Sequence, residues 1–91
     1  MNEEIAKRIE EKQKELEGVT EYLRSKDLRV IRESAGITQA QLAASAGVHQ
    51  SQVSTTERGV LVLGPEAAIR LVTVYRELEN ADHRNDAEGV P

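Results

Sequence analysis

Between His49 and Arg58 the chain reads His-Gln-Ser-Gln-Val-Ser-Thr-Thr-Glu-Arg. Gln50, Ser51, Gln52, Ser54 and Thr55 offer amides and hydroxyls, groups that both donate and accept hydrogen bonds. Serine and threonine are mediocre helix formers, so their density in one short segment needs a reason. Contact with the polar edge of another molecule is one. A glutamine amide matches N6 and N7 of adenine in the major groove, and such a bidentate pair discriminates against the wrong base by about 1–3 kcal/mol. An ordinary solvated helix face is the alternative.

Catalytic chemistry finds no foothold. No serine, cysteine or lysine sits in a nucleophile motif, and no glycine-rich loop follows a strand to cradle phosphate. The chain has no cysteine, which excludes disulfides and thiolate metal sites. The two histidines, His49 and His83, lie far apart, and His49 reads as a helix cap or phosphate contact rather than a metal ligand. The paired acids, such as Glu10 and Glu11, fall on solvated faces. We therefore expect no enzyme, no metal and no cofactor.

The elements that position the polar cluster are punctuated by glycine. Thr38-Gln39-Ala40-Gln41 has the form of a capping box, with Leu42, Ala43 and Ala46 as a small inner face and Gly47 as the stop. Val48 then serves as a hydrophobic staple, and Gln50 to Arg58 form the next helix, ended by Gly59. Two short helices joined so tightly cross steeply, which leaves the second projecting from the body. Upstream, Asn2 to Glu17 is rich in helix formers, with Ile5, Ile9 and Leu16 on one stripe. Gly18 to Thr20 reads as a break before a second helix that runs to about Ala35, with Leu23, Leu28, Ile31 and Ala35 facing inward. A single helix through Gly18 is the alternative, because Val19 and Leu23 prolong a heptad interrupted by Lys12 and Lys26. Val60 to Leu63 reads as an extended segment buried on both faces, in the core or in a dimer interface. Pro65 opens a last helix to about Asn80 with Ala68, Leu71, Val72, Tyr75 and Leu78 inward. The segments are thus 1–19, an amphipathic helix; 20–80, the folded domain; and 81–91, a polar tail expected to be disordered.

From Leu28 to Gly59 the chain resembles the XRE (Cro and phage-repressor type) helix-turn-helix domain. The resemblance is carried by Gly36-Ile37-Thr38-Gln39 with Leu42-Ala43, and by Glu57-Arg58-Gly59. It implies an all-α, lambda-repressor-like fold of about five helices, here with an extra amino-terminal helix. It further implies that Gln50, Ser51 and Thr55 face base edges, that Thr38 and Gln39 touch phosphates, and that Arg58 reaches the backbone. His49, Gln52 and Ser54 complete the expected DNA-contacting set. An ion pair between Arg32 and Glu57 is implied as the lock between helices. The chain departs from the family at Thr56, where a larger apolar residue is usual, at His49 in place of a capping Ser or Thr, and in the long apolar connection to Pro65.

The net charge of −4 is distributed unevenly. Residues 1–19 carry four basic and six acidic side chains, residues 20–64 five and four, and residues 65–91 three and six. The slightly positive centre permits phosphate contact and predicts weak non-specific affinity. The acidic start and the absence of an apolar run of about 18 residues point to a cytoplasmic protein that does not enter membranes. The expected partner is a double-stranded DNA operator, with a homodimer left open. A helix-turn-helix that serves as a protein-interaction module, such as an antitoxin, is the alternative, with the amino-terminal helix as its partner surface.

Overall fold

A computed structural model describes residues 3–88. It is all-helical among those residues, with α1 at Glu3–Ser25, α2 at Leu28–Ser34, α3 at Gln39–Ala46, α4 at Gln50–Glu57 and α5 at Pro65–Glu88. The helix-turn-helix is α3 and α4, and α5 is the beam against which α1, α2 and α3 pack.

The count of five helices matches expectation, but one boundary has moved. There is no break at Gly18: α1 runs through it unbroken. The glycines with positive φ are Gly36, Gly47 and Gly59, so Gly18 keeps ordinary helical geometry. Its neighbours explain why. Val19, Tyr22 and Leu23 are all buried, and tertiary packing of that stripe outweighs the weak helix propensity of one glycine. The chain breaks instead at Lys26-Asp27, where the Asp27 carboxylate accepts a 3.3 Å bond from the Val30 amide and so caps α2.

Three other expectations are corrected. The last helix does not end near Asn80; α5 continues to Glu88, so residues 81–88 are helical and 89–91 lie outside the described residues. The Glu, Asn, Asp and Ala of that stretch lack a core-forming stripe, yet none of them stops a helix already propagating from a packed segment. Val60 to Leu63 is an irregular extended connection rather than a segment buried on both faces. Leu61 and Leu63 pack against the core, while Val60 and Val62 turn outward, because only one side of the segment has a helix layer to meet. Ala35, expected inward, is exposed.

The core is built from Val19, Tyr22, Leu23, Leu28, Leu42, Ala43, Ala46, Val53, Ala68, Leu71, Val72 and Tyr75. Its aromatic content is two tyrosines, with no phenylalanine or tryptophan anywhere in the chain. A buried tyrosine needs a partner for its hydroxyl. Tyr22 on α1 donates to Glu79 Oε1 of α5 at 2.6 Å, and Lys26 Nζ bonds Glu79 Oε2 at 3.2 Å. The Arg76 guanidinium lies over the Tyr22 ring at 5.1 Å. These contacts seat the carboxy-terminal end of α1 on α5.

Nothing lies within 4 Å of where a Cβ on Gly18 would sit. Gly18→Ala should therefore raise stability by roughly 0.5–1 kcal/mol, read as an increase in the thermal unfolding midpoint. A decrease would mean that the helix is interrupted there after all.

Candidate nucleic-acid interface

The turn between α3 and α4 is closed by local chemistry. Thr38 Oγ1 accepts from the Gln41 amide at 3.1 Å, and Gln41 Oε1 accepts from the Thr38 amide at 2.8 Å. Both orphan donors at the start of α3 are satisfied reciprocally. At its end Gly47 takes φ 69°, a left-handed geometry that a side chain would strain, and the Val48 amide bonds back to Ala43 O at 3.0 Å. The chain leaves Gly47 already turned, with Val48 packed on the core and His49 extended at φ −82°, ψ 148°.

α4 meets the body through Val53, Thr56 and Glu57. Val53 is wholly buried, a contribution of about 1.5–3 kcal/mol to the docking of this helix. Thr56, at the position where a larger apolar residue is usual, is also buried; its hydroxyl donates to Gln52 O at 2.7 Å. A 100° rotation per residue then puts Ser51, Ser54, Thr55 and Arg58 on the opposite, outward side, with Gln50 at its edge. Gln50, Ser51 and Arg58 are exposed, and Ser54 and Thr55 are half-buried.

The orientation of α4 is fixed by one carboxylate at its last residue. Arg32 of α2 grips Glu57 with two parallel bonds, Nε to Oε2 at 2.8 Å and Nη2 to Oε1 at 3.0 Å. Tyr75 of α5 donates to Oε2 at 2.8 Å, and Gln39 of α3 donates Nε2–H to Oε1 at 3.2 Å. The third Arg32 nitrogen, Nη1, bonds Ile37 O in the α2–α3 connection at 2.9 Å. The Arg32 and Glu57 side chains keep only 10% and 3% of their surface, so the pair operates with little solvent screening. Burial by itself would raise the Glu57 pKa, but the bonds from Arg32, Tyr75 and Gln39 outweigh it and hold the carboxyl below its ordinary value. The Glu57 bond raises Arg32, while burial, with Glu57 beside it, pushes the Tyr75 hydroxyl above the usual tyrosine range.

The structure thus sorts the expected site residues. Gln50, Ser51, Ser54 and Arg58 make no side-chain hydrogen bond to another described residue. Thr55 donates its hydroxyl to Ser51 O at 2.7 Å and retains its acceptor lone pairs. Thr38 accepts a bond in its cap and keeps its own hydroxyl hydrogen. Gln52 has its side-chain oxygen bonded to the His49 amide at 2.8 Å, so it caps the helix, and His49 is exposed beside it. Gln39 is committed to Glu57, an anchoring role that the sequence did not disclose. Tyr75 is the other residue sequence reasoning missed. It was legible as core, and the need of a buried phenol for an acceptor was the available signal.

Arg29, Arg32, Gln39, Ser54, Glu57 and Arg58 line one surface recess beside α4. Its charges are mostly paired within the protein: Arg32 with Glu57, and Arg29 Nε with Glu33 at 2.7 Å. Arg58 is left as the cation directed outward. Among the described residues, no group of His, Cys, Asp or Glu side chains could hold a metal ion, and no helix is long and apolar enough to cross a membrane.

A family model described as helix-turn-helix domain matches residues 26–83. The chain belongs to this family, a DNA-binding class. No curated protein and no solved structure matches it significantly.

Because the folded-state pKa of Glu57 is depressed, its contribution to stability is complete above the ordinary glutamate value of about 4.3 and is lost as pH falls through the lower folded value. Glu57→Gln should cost about 3 kcal/mol at pH 7, since it leaves Arg32 buried beside a neutral group. The gap to the wild-type protein should close as pH drops below about 4. Urea unfolding across a pH series checks both statements, and a gap independent of pH would contradict them.

Proposed function

We propose that the protein is a sequence-specific, double-stranded-DNA-binding transcriptional regulator of XRE type, a small Cro-like repressor without catalytic activity. The observation that carries this reading is the outward face of α4. It presents Gln50, Ser51, Ser54, Thr55 and Arg58, while every contact that orients the helix lies on its other side. In this reading Gln50 and Ser51, in the first turn of the helix, meet base edges with Thr55. Thr38 and Arg58 take phosphate oxygens on either side, and the exposed His49 joins them at the turn. Gln39 and Gln52 support the site by holding the helix rather than by reading DNA.

The weak positive charge of the central segment supports a binder that depends on base contacts more than on its electrostatic field. A protein-interaction module, such as an antitoxin, remains the second reading. The net charge of −4 and the exposed Ile5 and Ile9 of α1 favour it. Salt dependence separates the two, because displaced counterions make DNA affinity fall with salt by a slope of about 0.9 per neutralised phosphate.

The test is selection from a random duplex library at moderate salt, followed by titration of the enriched site. Gln50→Ala combined with Thr55→Ala should weaken binding by more than about 1 kcal/mol on that site. Arg58→Ala should weaken all sequences alike and lower the salt slope by about 1. An absence of any enriched sequence would transfer the assignment to the protein-partner reading.

A further inference from the structure

The proposed DNA surface makes no use of the amino-terminal part of α1. Ile5 and Ile9 there keep 48% and 44% of their surface exposed, and Leu16 is half-buried. Positions 5, 9, 12, 16, 19 and 23 advance in alternating steps of four and three, the spacing of a heptad seam. Val19 and Leu23 commit the end of that seam to the protein's own core.

Arg8 and Glu15 flank the exposed part on the same edge. Neither is hydrogen-bonded or ion-paired to another described residue. They are two helical turns apart, about 10 Å along the axis, too far to neutralise each other within one helix.

A second copy of the chain, running antiparallel, satisfies both. The register sets Ile5 in one layer with Leu16 of the partner subunit. On the flank the same register brings Arg8 to Glu15 of the partner subunit and Glu15 to Arg8 of the partner subunit. The other edge sets Ala6 beside Gln13 of the partner subunit, where no charges oppose. A parallel, in-register pair has none of this complementarity. It sets Arg8 and Glu15 beside uncharged Gln13 and Thr20 of the partner subunit.

We propose that α1 is the self-association element of this protein, forming an antiparallel, two-fold-symmetric helix pair with a second copy through Ile5, Ile9 and Leu16, with reciprocal Arg8–Glu15 contacts. The contact is isologous, each subunit offering the same patch. A seam from Ile5 to Leu16 spans only about 18 Å, so the interface lies at the small end of specific interfaces. Such a two-fold is the symmetry a palindromic operator requires, but the association involves no DNA and stands whether or not a duplex is bound.

Sedimentation equilibrium of the full chain, from micromolar to about millimolar concentration, tests the proposal directly. The wild-type protein should dimerise, and R8E and E15R should each weaken association by on the order of tenfold, since each sets like charges opposite one another twice. Mixing R8E with E15R in equal amounts should recover association as a heterodimer, since the mixed pair regains two opposite-charge contacts. Both positions are exposed, so circular dichroism should show the same helix content in every variant. A wild-type chain that stays monomeric throughout, variants that associate as well as wild type, or a mixture that remains monomeric would each overturn it.

Discussion

The Glu57 carboxylate, at the last residue of α4, is the point on which the arrangement depends. Four hydrogen bonds from three other helices converge on two oxygens. An unpaired carboxylate buried to this degree would be strongly destabilising, so the four donors must be delivered together or α4 cannot dock in this orientation. A buried pair of this kind is no measure of net stability, because an apolar replacement of the same shape can be as stable, whereas loss of one partner is costly. Here the partners converge on the helix whose outward face carries Gln50, Ser51, Ser54, Thr55 and Arg58.

The same device recurs one helical turn further along α5 in a milder form. Tyr22 of α1 and Tyr75 of α5 are the aromatic residues of the core, and each places its hydroxyl on a carboxylate from another helix, Glu79 and Glu57 respectively. A small domain with so little aromatic area buries a modest apolar surface, and directional bonds then decide which of several similar helix packings is adopted. No buried side-chain nitrogen or oxygen among the described residues is left without a partner. Function and architecture are joined at this point. The side chains that hold α4 lie on one side of it, so the opposite side is available for an external partner without loss to the fold.

Much of this was legible in the sequence because the signals were local. The Thr38–Gln41 capping box, the stop at Gly47 and the inner stripe of α5 depend on residues within one or two turns of each other, and they appear where the spacing puts them. The Arg32 and Glu57 residues came into view through resemblance, since nothing local links positions 25 apart. What stayed hidden was set by packing across the fold. Gly18 looks like a helix stop until Val19, Tyr22 and Leu23 are seen buried against α5. Asp27 looks like one more charge until the chain turns there. Gln39 reads as a phosphate contact because its position at the start of α3 is visible and the carboxylate that captures it is not.

The most direct measurement is the structure of the full chain bound to its selected duplex. α4 should lie in the major groove, with Gln50 and Ser51 within hydrogen-bonding distance of base edges and the Arg32–Glu57 pair still bidentate behind it. A complex in which DNA lies on another surface, or in which the pair must open to admit it, would contradict the claim that Glu57 holds a reading helix in place.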